Sequence, residues 1–236
     1  MAEPDLARPD PRALPLLSKL SHSLRAIAIV SGRDTEFLAR QLPIVGLLLL
    51  GNHGLEERRQ GRSEVVAEAI AYLPSLRRAA DELAVAARTH SPGIRIEPKR
   101  VGVSVHFRRA DDPSQASASL LPVVQTIAAR EHLVVQAGRL VYELRPPVAI
   151  DKGEVIRRLC DRYQPTAVVY AGDDRTDADA FRTLKAMSAG GLRTLAVGVR
   201  SQEVPADSFS DCDVVVEGVD GTIELLQDLV ELDRAA

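Results

Sequence analysis

The chain has 236 residues, of which 45% are hydrophobic, and its formal net charge is −3. This length can bury a full core in one large or two small domains, whereas the charge gives no basic field for nucleic acid. The longest apolar run, residues 44–50, is far shorter than a membrane span, and the first residues do not form a signal-peptide core. We therefore expect a cytoplasmic protein that binds neither nucleic acid nor membranes.

Cysteine usage agrees with a reducing compartment. The two cysteines, Cys160 and Cys212, lie far apart in the sequence, with neither the spacing of metal ligands nor that of a disulfide framework. Both are expected to be reduced, buried and structural.

Strands and helices alternate in the first 60 residues. Residues 26–30 are expected to form an apolar strand that ends in the turn 31–33 (Ser-Gly-Arg), followed by a helix capped by Asp34. Residues 46–50 are expected to form a second buried strand, followed by the polar turn 51–56. Such turns aim hydroxyl and backbone N–H groups at the carboxyl edge of a sheet, which is a natural place for an anion. Each turn taken alone is common, and a lone histidine such as His53 is more often structural.

The middle of the chain has a different pattern, in which a helix is followed twice by a pair of strands. The helices are predicted at 74–90 and 113–131, and the strand pairs at 94–98 with 101–108 and at 133–137 with 139–145. This order predicts a small α+β layer with one covered and one free sheet face. His106 and Arg108 share one face of their strand, and Glu143 and Arg145 share one face of theirs. A polar binding platform and an ordinary solvated face are about equally compatible with this pattern.

An acidic cluster follows the next predicted strand, residues 166–170. Asp173 and Asp174 come directly after it, and Thr176 is expected to cap a helix that has Asp177 in its first turn. Carboxylates at the carboxyl end of a strand in an open α/β sheet lie where ligands bind. Neighbouring carboxylates repel one another unless a cation holds them, and the hard oxygen ligands suit Mg²⁺. The alternative is a solvated acidic loop.

A lysine opens the helix before this strand. Lys152 lies in the run 151–153 (Asp-Lys-Gly), at the start of a helix that is expected to extend to Tyr163. Positive charge at a helix N-terminus opposes the helix dipole. A bound anion would remove the conflict.

Six runs in a fixed order carry a resemblance to a known family. They are Ser31-Gly32-Arg33, Gly51-Asn52-His53-Gly54-Leu55-Glu56, Val105-His106-Phe107-Arg108, Glu143-Leu144-Arg145-Pro146, Asp151-Lys152-Gly153 and Gly172-Asp173-Asp174-Arg175-Thr176-Asp177. In this order they resemble the haloacid-dehalogenase-type phosphatases, and within them the trehalose-6-phosphate phosphatases. The resemblance extends from the opening Pro/Asp segment to the last helix.

The resemblance implies a haloacid-dehalogenase-like α/β core at residues 1–60 and 149–236, with a parallel sheet, and an inserted α+β cap domain at residues 61–148. The implied reaction is Mg²⁺-dependent hydrolysis of trehalose 6-phosphate to trehalose and phosphate, and a trehalose-6-phosphate synthase is a candidate partner. Ser31 and Lys152 would stabilise the phosphoryl oxygens. The implied metal residues are Asp173, Asp174 and Asp177. The implied substrate-binding residues are Arg33, Asn52, His53, Glu56, Lys99, His106, Arg108, Glu143 and Arg145.

The family's first motif, a strand ending in Asp-x-Asp-Gly-Thr, is absent from the sequence. In the family its two aspartates are the nucleophile and the general acid and base. The missing strand is the central one of the sheet, so the strands at 26–30 and 166–170 are expected to lack the neighbour between them, at about 1–3 kcal/mol for each unpaired buried group. We expect Met1 to be an internal methionine of a longer protein.

Two alternatives remain open from the sequence alone. One is a catalytically inactive sugar-phosphate-binding or regulatory module. The other is a phosphatase that acts on a different sugar phosphate, such as a sucrose- or glycerate-linked one.

Overall fold

The computed structural model describes residues 8–90, 92–201 and 206–235. The chain divides into two compact units. The first unit comprises the described residues up to Ser63 together with those from Ile150 onward, and the second comprises Glu64–Ala149. The sequence placed the boundaries at 60/61 and 148/149, and the role of the second unit as a cap stays a prediction.

The helices are α1 (Ala13–Ser23), α2 (Thr35–Gln41), α3 (Ala67–Ile70), α4 (Leu73–His90), α5 (Pro113–Arg130), α6 (Lys152–Tyr163), α7 (Asp177–Ala189) and α8 (Gly218–Ala235). The strands are β1 (Ile27–Val30), β2 (Leu47–Gly51), β3 (Glu56–Arg59), β4 (Arg62–Val65), β5 (Arg95–Lys99), β6 (Gly102–His106), β7 (Val134–Gly138), β8 (Val141–Arg145), β9 (Ala167–Gly172), β10 (Arg193–Arg200) and β11 (Val214–Glu217). Within the described residues, 3₁₀ turns lie at Asn52–Gly54 and Ala206–Phe209. Among the described residues, no helix combines the length and the apolar character needed to cross a bilayer.

The parallel strands of the first unit belong to two separate sheets. One sheet has the order β1-β2-β3-β4, in which β1 and β2 are parallel, and the other has the order β11-β10-β9, in which all neighbours are parallel. β1 and β9 are therefore both edge strands. The sequence predicted that these two strands lack a common neighbour. In the described part of the chain, no strand pairs with both of them.

Helices connect the two sheets of the first unit. Leu17 of α1, Leu38 of α2 and Leu49 of β2 form one buried cluster, against which Leu226 of α8 packs. Because α8 also packs against β10 and β11, it contributes to both halves of the unit. A second buried cluster surrounds Phe181 of α7. The fold is thus the predicted α/β core, with parallel strands covered by helices.

The second unit is an antiparallel sheet covered on one face by two helices. Its strand order is β5-β6-β8-β7, with α4 packed on β5 and β6, and α5 packed on β7 and β8. The apolar side chains of the central strands, Val103 and Val105 on β6 and Tyr142 and Leu144 on β8, are buried. The alternate residues of these strands therefore form the opposite, polar face.

Three local predictions need correction. The pair β3 and β4 was not predicted, because the run 56–65 is rich in charged residues and shows no apolar alternation. Thr176 does not cap α7, since its backbone is already helical and its side chain makes no cap hydrogen bond. Cys160 and Cys212 are free, as expected, but they are half-buried rather than fully buried.

Candidate functional site

The turns after β1 and β2 are tied together by hydrogen bonds. The backbone N–H of Ser31 donates to the carbonyl oxygen of Leu50 (2.9 Å), and that of His53 donates to the carbonyl oxygen of Ser31 (2.9 Å). The hydroxyl Oγ of Ser31 accepts from the backbone N–H of Arg33 (3.2 Å). The predicted phosphate-binding hydroxyl is therefore held in a defined turn at the carboxyl end of β1.

A buried carboxylate stabilises an unusual backbone in the second turn. Asn52 and His53 have positive φ angles of 50° and 59°, which cost free energy for residues other than glycine and persist only where their surroundings impose them. Glu56 is fully buried, and its Oε2 accepts from the Asn52 side-chain amide (3.0 Å) and from the backbone N–H of Thr35 (3.2 Å). Asn52 and Glu56 thus lock the turn through contacts inside the unit.

The locked turn brings the His53 side chain against the Ser31 turn. A Cβ atom added at Gly32 would lie 2.7 Å from His53 Nε2, so a larger residue there would require the imidazole to move. The guanidinium group of Arg33 lies over the ring of Phe37, 5.0 Å from its centroid. His53 therefore flanks Ser31 from the neighbouring turn, whereas the side chain of Arg33 packs on α2.

The other predicted residues of the first unit meet at the start of α6 and α7. Asp177 is buried, and its Oδ1 accepts from Lys152 Nζ (2.5 Å) and from the hydroxyl of Tyr170 (2.5 Å). Its Oδ2 accepts from the backbone N–H of Asp174 (2.7 Å). We call Lys152, Tyr170, Asp177 and the Asp174 N–H the Asp177 cluster. The charge of Lys152 at the start of its helix is therefore balanced by Asp177, and a bound anion is not required for this.

Burial and like charges act on the adjacent carboxyl groups and on the tyrosine. Burial raises the pKa of Asp173 above its ordinary value, and the negative charges of Asp177 and Asp174 raise it further, while Lys152 opposes them. Burial, together with the charge of Asp177, also raises the pKa of Tyr170 well above its usual range. The Tyr170 hydroxyl is consequently a hydrogen-bond donor at neutral pH.

The three predicted metal residues do not converge on one point. No group of three or more His, Cys, Asp or Glu side chains in the described part of the chain could hold a metal ion. Both carboxylate oxygens of Asp177 accept hydrogen bonds from the protein. Asp173 and Asp174 offer the hard oxygen atoms that Mg²⁺ prefers, and Mg²⁺ is often held by one or two carboxylates together with waters and substrate phosphate. A cation beside Asp173 would also offset the like charges that raise its pKa.

The Ser31 turn and the Asp177 cluster lie at the same end of the first unit. The 3₁₀ turn that contains His53 packs against the start of α6. Gly54 is so close to that helix that an added Cβ would lie 2.3 Å from Cγ2 of Val155 and 3.2 Å from Cγ2 of Ile150. Since Lys152 begins α6, the structure brings the hydroxyl, ammonium and carboxylate groups to one end of the core.

The second unit carries its own polar network on the free face of its sheet. Glu143 Oε1 accepts from Lys99 Nζ (2.7 Å) and from the Ser104 hydroxyl (3.1 Å). On the same face, His106 Nε2 and Glu97 Oε2 are hydrogen-bonded (2.8 Å). By the strand register, the polar residues of this face are Arg95, Glu97, Lys99, Ser104, His106, Gln136, Glu143 and Arg145. The face thus presents carboxylate, cation and hydroxyl groups held by one another.

A family model described as Trehalose-phosphatase matches residues 1–214. The chain belongs to the trehalose-phosphatase family. It is 35% identical over 208 residues to the trehalose-phosphate phosphatase of Mycobacterium marinum. This match covers 85% of this chain and 50% of that protein. It is 37% identical over 187 residues to the trehalose-phosphate phosphatase of Mycobacterium bovis, with coverage of 76% and 46%. The chain therefore spans about half the length of these curated relatives.

Solved structures of the trehalose-phosphatase family share the fold. A trehalose-6-phosphate phosphatase of Aspergillus fumigatus is 27% identical, with a TM-score of 0.61, over 98% of this chain and 87% of that chain. A trehalose-6-phosphate phosphatase related protein, 22% identical, has a TM-score of 0.80 over 98% and 92% of the two chains and supports the fold alone. The resemblance drawn from the sequence is confirmed at the level of family and fold.

Trehalose-phosphatase family membership does not by itself assign the sugar-binding residues, which were predicted on the second unit. Lys99, His106, Glu143 and Arg145 lie on its polar face, whereas Arg108 lies beyond the end of β6 in an exposed turn. Arg145 donates to Gln136 Oε1 (2.9 Å), and burial lowers its pKa.

The predicted substrate-binding residues did not include four polar members of this face, Arg95, Glu97, Ser104 and Gln136. Glu97 could have been found from the strict alternation with Lys99 along its strand. Its pKa is held below the ordinary value chiefly by the hydrogen bond to His106.

Proposed function

We propose that this chain supplies the phosphoryl-binding and sugar-binding parts of a Mg²⁺-dependent phosphatase that hydrolyses trehalose 6-phosphate to trehalose and phosphate. The observation that carries the proposal is the buried Lys152, which Asp177 holds at the start of α6 beside Asp173. Family membership supports the reaction class and the substrate. A cytoplasmic location and a synthase partner stay predictions.

Phosphoryl transfer needs stabilisation of charge on the non-bridging oxygens rather than elaborate covalent chemistry. Lys152 has three N–H donors, one of which is used by Asp177, so the others can be donated to these oxygens. Ser31 adds a hydroxyl donor and His53 an imidazole from the adjacent turn. When bound, Mg²⁺ neutralises charge on the phosphoryl group, and Asp173 with Asp174 are the residues that would hold it.

Asn52 and Glu56 act differently from the other predicted substrate-binding residues. Both side chains are buried and hydrogen-bonded to each other, and Glu56 also accepts from the start of α2. We assign them to holding the His53 turn rather than to contacting the sugar. Their substitution is expected to lower stability as well as ligand affinity.

The polar face of the second unit has the chemistry that sugar hydroxyl groups require. Glu143 and Glu97 supply acceptors, and Lys99, His106 and Arg145 supply donors, all partly buried. Groups already fixed by hydrogen bonds lose little conformational freedom when they bind, and this favours affinity. We assign this face to the sugar hydroxyls, with Arg108 as an additional exposed donor.

A non-catalytic role is the second candidate function. Among the described residues, no aspartate follows β1 or β2 in the manner of a family nucleophile, and the carboxylates after β9 are assigned to cation binding and to Lys152. A chain with binding groups alone would act as a sugar-phosphate-binding or regulatory module. Detectable phosphate release from trehalose 6-phosphate by purified residues 1–236 would exclude that role.

The test is a calorimetric titration with trehalose 6-phosphate in the presence of Mg²⁺, with sucrose 6-phosphate and a small generic phosphate ester as comparison ligands. Lys152→Ala should weaken all three by at least tenfold, because a charge-assisted hydrogen bond is worth about 1.5–3 kcal/mol. Glu143→Ala should weaken trehalose 6-phosphate more than the generic ester. Equal losses for both ligands would contradict the sugar assignment, and tighter sucrose 6-phosphate binding would favour the other substrate class.

A further inference from the structure

Tyr170 is a member of the Asp177 cluster that no motif of the sequence assigns. It lies on β9, and its ring packs edge-on against the buried ring of Phe181 with 5.9 Å between the centroids. Its hydroxyl donates to the same carboxylate oxygen, Oδ1 of Asp177, that accepts from Lys152. One oxygen atom therefore links β9, α6 and α7.

The shared oxygen links the tyrosine to the ammonium group. A carboxylate oxygen that accepts two short hydrogen bonds has both of its lone-pair directions in use, and the carboxylate cannot rotate without breaking one of them. The other oxygen of Asp177 is held by the backbone N–H of Asp174. The Asp177 carboxylate is thus fixed from three sides, and it in turn fixes where the Lys152 ammonium lies.

We propose that Tyr170 is a positioning residue for the anion site, because its hydroxyl fixes the Asp177 carboxylate and thereby directs the remaining N–H donors of Lys152 toward a phosphoryl oxygen. The inference rests on the proposed function for the identity of the anion. Without the hydroxyl, the carboxylate can turn and offer Lys152 a second contact. The ammonium group is then drawn toward Asp177 and away from the ligand.

The variant Tyr170→Phe removes the donor and keeps the ring on Phe181. The matched control is Tyr142→Phe in the second unit, because the hydroxyl of Tyr142 also makes a 2.5 Å hydrogen bond, to Ser117 Oγ. The probe is inorganic phosphate, titrated by calorimetry. The position of Lys152 is read independently from the ¹⁵N resonance of its side-chain amino group, assigned with Lys152→Arg.

We expect Tyr170→Phe to shift the Lys152 resonance and to weaken phosphate binding by about three- to tenfold, as the loss of one hydrogen bond to a fixed carboxylate implies. Tyr142→Phe should do neither, although both variants lower the melting temperature. A purely structural role for Tyr170 would lower the melting temperature alone. An unshifted Lys152 resonance, or an unchanged phosphate affinity in a wild-type chain that binds phosphate, would overturn the inference.

Failure of the proposed function has a different signature. If the wild-type chain binds no phosphate, the phosphoryl-binding assignment fails, and the Lys152 resonance alone decides whether Tyr170 positions that side chain. A second measurement requires no substitution: addition of phosphate to the wild-type chain should shift the ring resonances of Tyr170 and leave those of Tyr142 in place. Equal shifts for both rings, or none for Tyr170 when phosphate binds, would also overturn the inference.

Discussion

Replacement of Asp177 by asparagine tests the Asp177 cluster most directly. Only 2% of the Asp177 side chain and 8% of the Lys152 side chain are exposed, so the substitution leaves a buried ammonium group without its counter-charge. Removing one partner of a buried ion pair typically costs about 3–5 kcal/mol. The carboxylate of Asp177 offers its three donors two acceptor oxygens, whereas asparagine offers one neutral oxygen and one NH₂ group. Asp177→Asn should therefore remove a large part of a domain stability of about 5–15 kcal/mol.

The assay must separate the two units, because a two-unit chain need not unfold in one step. Amide hydrogen exchange in increasing urea, followed by mass spectrometry, reports α6 and α7 of the first unit separately from α5 of the second. We expect the free energy of opening of α6 and α7 to fall by about 3–5 kcal/mol in Asp177→Asn. Peptides from α5 should be unchanged and serve as the internal reference.

A double variant distinguishes the lost charge pair from a packing defect. Addition of Lys152→Met to Asp177→Asn removes the unpaired charge, and an apolar replacement of a buried ion pair is often close to neutral. The double variant should therefore be at least about 2 kcal/mol more stable than Asp177→Asn alone. The reasoning is refuted if Asp177→Asn lies within 1 kcal/mol of wild type, or if the effects of the two substitutions simply add.

Three further predictions concern other parts of the molecule. Gly153→Ala places a Cβ 2.3 Å from Thr183 Oγ1, so urea unfolding should show a loss of about 1–3 kcal/mol, and an unchanged midpoint would show that α6 can shift. Burial, with nearby aspartates, raises the pKa of Cys212 to about 11, so iodoacetamide at pH 8 should react with it at least about tenfold more slowly than with an unstructured thiol; comparable rates would contradict this. The hydrogen bond from His106 lowers the pKa of Glu97 from 4.5, so its stabilisation is complete above pH 4.5 and is lost as the pH falls through the lowered pKa. The melting temperatures of wild type and Glu97→Gln should hence converge in acid, and a constant difference would argue against the pair.

Patterns among residues close in the sequence predicted most of the helices and strands and much of the turn after β1. Asp34 caps α2 as expected, with its carboxylate accepting from the backbone N–H of Phe37 (2.6 Å), because N-cap chemistry depends on residues close in sequence. The alternation on β8 correctly separated the buried Tyr142 and Leu144 from Glu143 and Arg145. Such patterns are visible in the sequence because one face of each element must leave water.

Contacts between distant residues were not predictable in the same way. Lys152 and Asp177 are 25 positions apart, and the sequence showed only that a lysine opposes the dipole of its helix. An anion and an internal carboxylate both solve that problem, and only the fold decides between them. The hairpin of β3 and β4 was missed for another reason, since its charged strands lack an apolar period. Its Gln60-Gly61 turn, with both φ angles positive, was the available signal.

The acidic cluster shows how the fold divides residues that look equivalent in sequence. Asp177 is buried and paired with Lys152. Asp173 lies nearby, and burial together with the negative charges of Asp177 and Asp174 raises its pKa. Lys152 balances one of the three carboxylates Asp173, Asp174 and Asp177. A divalent cation at Asp173 and Asp174 would balance the other two, while the ammonium group retains N–H donors for an anion. If the proposed function holds, such a site would bind a cation and a phosphoryl group together more readily than either alone, because each lowers the charge that the other must face.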